Sequence, residues 1–306
     1  MTLSLVLTQL LNGLQFGALL FLLSAGLTLV FGIMNFVNLM HGSLYMMGAY
    51  FAALGFSTSG SFAMAAVYAI GGTFLLGILL DRIATARLYS RSHLEQVLAT
   101  FGFILFFNEL VRMIWGATPV DMAAPAALSE AVSLFGADYP VYRLFIIAVA
   151  LVVGAGLYLL IHKTRFGMLI RAGASNPAMV SALGVNITLL KTLLFAFGAA
   201  LAGLAGLMSG PITSVQSGMG EPILILTLVV IVTGGVGSIR GSFYGAMIIG
   251  LIDTLGRSLL PSLLRETFDR SVAQAAGPAI ASVLVYVLMA AVLAFRPQGL
   301  FPVKHG

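Results

Sequence analysis

The sequence predicts an all-α fold: a polytopic bundle of membrane-embedded helices with eight to nine membrane segments, half-helices among them. Three observations lead there. Of 306 residues, 60% are hydrophobic and only 8% charged, whereas a soluble domain carries roughly a quarter of charged residues. Apolar runs of the ~20 residues a helix needs to cross ~30 Å of hydrocarbon recur along the whole chain. The alternating pattern of a transmembrane β-barrel is absent.

In order, the apolar runs fall near 9–32, 37–55, 62–80, 94–115, 141–161, 188–209, 222–236, 241–258 and 278–295. The opening MTLSLVLTQLLNGLQFGALL has no basic residue ahead of its apolar stretch, so it reads as a retained helix rather than a cleavable signal. The run 222–236 is short and ends in GGVG, which suits a half-helix and takes the count between eight and nine. The longest connections, 116–140 and 256–277, are too short for an inserted domain. Residues 1–306 therefore form a single transmembrane domain.

Charge sets the expected orientation. The loop 81–92 carries Arg82, Arg87 and Arg91, and the segment after 161 carries Lys163, Arg165, Arg171 and Lys191 without an acid. The tail adds Arg296 and Lys304. Basic loops mark the cytoplasmic side. Between them, 116–140 holds only acids (Asp121, Glu130, Asp138), and 210–221 holds Glu221 alone. This places the N-terminus outside and the C-terminus inside. The loop 256–277, with Arg257, Arg265 and Arg270, runs against that alternation.

Several chemistries are excluded. The net charge of +5 is spread between apolar runs, which fits a lipid bilayer as partner and no nucleic acid. There is no cysteine, and His41, His93, His162 and His305 stand far apart, so no metal site is expected. Lys163, Lys191 and Lys304 follow His162, Leu190 and Val303, so no Gly-rich phosphate loop precedes any lysine. The chain is expected to have no catalytic residues, to bind no cofactor and to take its energy from a partner. An ion-coupled carrier usually keeps acids near mid-membrane. Here Glu109–Arg112 and Asp253–Arg257 sit near span ends at helical spacing and read as ion pairs.

One polar island, RFGMLIRAGASNPAMVSALGVN (165–186), has the marks of a capped helix. Asn176 can accept from an exposed backbone N–H, and Pro177 at the first position loses no hydrogen bond. Gly184 can take the left-handed position that closes a helix over 177–183. Met179 and Leu183 then share one apolar face. Two readings stay open: a loop lying on the bilayer surface or folded on its own bundle, or a knob that docks into a groove on a cytoplasmic partner.

Two Gly-rich turns interrupt membrane segments. FGIMNFVNLMHGSLYMMGAY (31–50) contains Asn35, Asn38 and His41, with Gly42 and Tyr45 following. VTGGVGSIRGSFYGA (232–246) contains Gly234, Gly235, Gly237, Ser238 and Gly241. Irregular backbone at membrane depth must be buried in protein or line an aqueous path, and glycine permits close helix contact. For the glycines packing is the favoured role; for Asn38 and His41 a turn near the cytoplasmic interface and a place in a translocation pathway are both open. HGSLYMMGA (41–49) and RGSFYGAMI (240–248) also echo each other weakly.

Three stretches carry a family resemblance. NLMHGSLYMMG resembles the N-x-x-H-G-x-x-Y-M-x-G signature of LivH-type permeases of bacterial branched-chain amino acid ABC transporters. GGVGSIRGSFYGA resembles that family's G-G-x-G-S-x-x-G-x-x-x-G-A stretch, and RPQGLF its R-P-x-G-L-F ending. The resemblance covers essentially the whole chain. It implies a transport subunit in the bacterial inner membrane, paired with a LivM-like second permease, two cytoplasmic ABC ATPases and a periplasmic binding protein. It also implies ATPase coupling through 165–186, hence through Arg171, Asn176, Pro177, Met179, Leu183 and Gly184. Arg171 stands where the general importer motif E-A-A-x-x-x-G has its Glu; Ser43 and Arg240 replace a frequent acid and a frequent Pro. The implied substrate is Leu, Ile, Val or another small amino acid, with urea or a short-chain amide as the alternative.

Overall fold

The computed structural model describes residues 3–134 and 136–302. Twelve α-helices follow in order among these residues. They are α1 (Leu3–Met34), α2 (His41–Ser59), α3 (Phe62–Leu80), the single turn α4 (Ala86–Leu88), α5 (His93–Trp115), α6 (Val141–Lys163), α7 (Arg165–Ser175), α8 (Pro177–Ala182), α9 (Ile187–Ser209), α10 (Gly220–Gly234), α11 (Ile239–Leu264) and α12 (Arg270–Phe295). A π-helical turn, Asp81–Thr85, carries α3 into α4.

Seven helices are long and apolar enough to cross a membrane: those of Ser4–Gly32, Phe62–Leu88, His93–Trp115, Val141–Lys163, Ile187–Ser209, Ile239–Leu264 and Arg270–Phe295. The chain is a multi-pass membrane protein. The expected eight to nine segments are not reached on this measure, because α10 has only 15 residues and α2 begins with the polar run His41-Gly42-Ser43. Both are helices where apolar runs predict them, and both begin inside the bundle.

The all-α expectation needs one correction. Within 116–140, β1 (Ala131–Leu134) pairs antiparallel with β2 (Ala137–Pro140), with Val132 opposite Tyr139. Gly136 supplies a left-handed φ of 78° at the turn. Short alternating strands around such a glycine form a hairpin, a signal too small to register beside the long apolar runs. The connection 256–277 is also shorter than expected. Both helices extend into it, α11 holding Pro261 in its last turn, so that only 265–269 link them.

Long α1 is the axis of the fold. It packs antiparallel along α11, where a Cβ on Gly17 would lie 2.8 Å from the Ala246 carbonyl. On its other side α9 crosses at Gly26, whose Cβ would lie 2.6 Å from the Gly198 carbonyl. Glycine here lets backbones touch, which is how helices gain dispersion contacts where lipid removes the hydrophobic drive. Ser24, Thr28 and most of 18–30 are buried, so α1 is a core helix. α3, α5, α6 and α12 instead keep large apolar side chains on the outside, as lipid- or subunit-facing helices do. The expected ion pairs form: Arg112–Glu109 at 3.0 Å and Arg257–Asp253 at 2.9 Å. Lys304 lies outside the described residues.

Candidate functional site

The polar island folds into two helices joined at Asn176. Thr164 caps the first, its Oγ1 accepting from the Gly167 N–H at 3.0 Å. Asn176 caps the second, its Oδ1 accepting from the Met179 N–H at 2.9 Å. The C-terminal end is a Schellman closure: Gly184 N–H donates to Ser181 O at 3.0 Å and Val185 N–H to Val180 O at 3.3 Å. Gly184 takes φ 85°, as the sequence predicts, and the helix ends at Ala182.

This capped unit has two faces. Val180 is buried (6% exposed) and anchors α8 to the bundle, while Met179 and Leu183 point away at 59% and 77% exposed. Arg171 lies on α7, where its Nη1 donates to the Ile161 carbonyl, and the predicted coupling residues are thus divided between two helices.

The two Gly-rich turns sit at different depths of the bundle. Residues 35–40 are non-helical, and Asn35 adopts φ 48°, which asparagine tolerates. They carry the chain back into the bundle, so that α2 starts at the level of Leu23, about 16 Å along α1 from Met34. There His41 Nε2 donates to the Leu23 carbonyl at 3.1 Å. A carbonyl only accepts, so Nε2 carries the proton and a neutral ring presents Nδ1 as an acceptor. Among the described residues Nδ1 has no partner, and neither has the buried amide of Asn38. Tyr45 donates to Ser209 at 2.7 Å.

The first turn of α2 lies directly against the start of α10: a Cβ on Gly42 would sit 2.6 Å from the Gly220 carbonyl. Two broken helices therefore begin at one point inside the bundle. Glu221, in the first turn of α10, accepts from the Asn108 side chain through Oε1, while buried Oε2 has no partner among the described residues. Asn108 in turn accepts from the Gly218 N–H at 3.2 Å and, at its carbonyl, from Ser217 at 3.1 Å. In the sequence Glu221 signals only a polar loop.

The second turn joins α10 to α11. Gly235 and Gly237 take φ 113° and 80°. Gly234 and Gly241 stack carbonyl to Cα so closely that neither has room for a side chain. Ser238 caps α11, accepting from the Gly241 N–H at 3.0 Å. The RPQGLF tail closes over this turn: Leu300 and Phe301 N–H groups donate to Thr233 and Gly234 carbonyls, both at 2.9 Å. Thus two of the three motif stretches form one unit. The Asn35 end of α1 faces that unit, Gly32 packing on Gly237.

One cluster escaped sequence reading. Asp81 is 1% exposed and receives hydroxyl bonds from Thr85 (3.0 Å), Thr192 (2.6 Å) and Tyr89. Burial, then the adjacent carboxylate, push the Tyr89 phenol above its usual range. Asp81 is the first acid in the chain, which was the available signal.

Comparison with known proteins places this architecture. Residues 9–293 match the family described as branched-chain amino acid transport system / permease component. The high-affinity branched-chain amino acid transport permease BraD of Pseudomonas aeruginosa is 29% identical over 308 residues, covering 96% of this chain and 95% of that protein. The LivH permeases of Escherichia coli K12 and Salmonella typhimurium are each 28% identical, with 85% of this chain and 89% of theirs covered. The chain belongs to the family of permease components of branched-chain amino acid transport systems.

Proposed function

We propose that this chain is the LivH-type permease of an ATP-driven importer for branched-chain amino acids. It works with two cytoplasmic ABC ATPases, a LivM-like second permease and a periplasmic binding protein. It sits in the bacterial inner membrane with its N-terminus outside and C-terminus inside, and α2 and the short α10 complete a set of nine segments with the seven long spans. The chain itself hydrolyses no ATP and binds no cofactor.

The observation that carries this reading is the rigid α8, capped at both ends with Met179 and Leu183 left bare. So short a helix is unstable alone, and its outward apolar face suits an ATPase groove. The substrate passes the point where α2 and α10 begin. His41 Nδ1 and Glu221 Oε2, two acceptors without partners there, suit the ammonium group of an amino acid better than uncharged urea or an amide.

The test is uptake into proteoliposomes containing the complete set of subunits. ATP should drive accumulation of leucine but not of urea or acetamide at the same concentration. Glu221→Gln should lower leucine uptake by more than about tenfold, as loss of a buried charge partner does. Accumulation of urea without leucine would overturn the assignment.

A further inference from the structure

A cavity of about 890 Å³ opens between the ends of α1, α6 and α7 and the turn from α10 to α11. Its polar lining is basic. Arg171 and Arg240 enter from α7 and α11, and His162 from α6. No Asp or Glu occurs anywhere between Asp138 and Glu221, nor in the lining. Among the described residues neither arginine forms an ion pair.

The basic side chains are held in place. Arg240 lies over the Tyr158 ring, 5.4 Å from its centroid, and His162 stacks on the same ring at 4.4 Å. His162 Nδ1 donates to the Tyr158 carbonyl at 3.0 Å, and the Arg171 bond to Ile161 fixes its guanidinium while leaving further N–H groups free. Ser238 and Ile239, at the start of the 26-residue α11, line the same space. Such a first turn presents backbone N–H groups that lack helical partners. The charged lining, two arginines and no acid, calls for an anion.

We propose that the cavity binds the phosphate of an anionic phospholipid, with Arg171 and Arg240 as its charge partners. Phosphate chemistry alone would also admit a soluble phosphate ester, but the surroundings favour the lipid. Leu29, Phe31 and Ile161 form apolar walls, and Leu151, Val152 and Leu159 leave an apolar strip along α6 bare. Acyl chains on that strip put a headgroup at the cavity mouth. Basic pockets between membrane helices hold lipid headgroups in this way. The proposal does not depend on which solute is carried.

The test uses the full chain in mild non-ionic detergent, read by native mass spectrometry. Phosphatidylglycerol should be retained well above phosphatidylcholine. Arg171→Gln or Arg240→Gln should each weaken retention about fivefold, and both together on the order of thirtyfold. Lysine at both positions should keep most of it, and Arg265→Gln, at the far end of α11, should change nothing. The two single variants and the lysine pair keep the question answerable if the double glutamine variant does not fold. Equal retention of both lipids, or unchanged retention in the glutamine variants, would overturn the site. Displacement of phosphatidylglycerol by equimolar glycerol phosphate would overturn the lipid and put a soluble anion there.

Discussion

Thr192 donates its hydroxyl hydrogen to the buried carboxylate of Asp81 at 2.6 Å. This bond ties the first turns of α9 to the end of α3, only ten residues beyond the end of α8. Lys191 lies over the ring of Tyr89, itself bonded to Asp81, at 5.3 Å, and Tyr89 packs edge-on against Phe36 at 5.2 Å. These contacts link the start of α9 to the turn before α2.

Thr192→Val keeps the shape and removes that donor. A hydrogen bond to a charged group contributes about 1.5–3 kcal/mol, so thermal unfolding in detergent should show a loss of that size. Thr192→Ser should unfold like the parent. Equal melting of the valine and serine variants would mean that Asp81 gains nothing from Thr192.

Close approach at Gly241 is the basis of a second expectation. A Cβ there would meet the backbone of Gly234, which cannot move aside. Gly241→Ala should therefore lower stability by about 1–3 kcal/mol, as overpacking does. Gly102 has open space around it within α5, and Gly102→Ala should stabilise by up to about 1 kcal/mol. The pair separates packing from helix propensity in one assay. The reverse order of melting temperatures would remove close packing as the reason for this glycine. Ser242→Ala, one residue on, is not a neutral control, because Ser242 shares a 2.5 Å bond with Thr28.

Orientation can be read with single cysteines, since the chain has none of its own. Ser90, Ser129 and Ser181 are all exposed. In intact cells an impermeant maleimide should label Ser129→Cys and leave Ser90→Cys and Ser181→Cys untouched. Labelling at 181 without labelling at 129 would invert the topology.

Local chemistry was legible in the sequence wherever one residue type has one use. Asn176, Pro177 and Gly184 bracket α8 because cap and closure demand those side chains at those places. Apolar runs located the long helices for the same reason. Depth was not legible. Nothing in HGSLYMMG states that α2 begins beside Leu23, since that follows from how residues 35–40 pack. The Asp81 cluster and the cover that RPQGLF makes over Gly234 join residues 111 and 67 positions apart, beyond the reach of any periodicity.

The two sides of α8 lead to the last prediction. Val180 faces the bundle and Met179 and Leu183 face away, so the permease should not need the outer pair to fold. Changing both Met179 and Leu183 to Asp would place two carboxylates in the partner's groove. Burying them without partners costs several kcal/mol, enough to abolish docking. The variant should insert and melt like the parent, yet lose co-purifying ATPases and uptake. Val180→Asp is the complementary change, and it should destabilise the permease itself because it buries a charge against α8's own support. If the double variant is degraded while its surviving fraction still holds ATPase, the outer face packs on this bundle and the docking assignment fails.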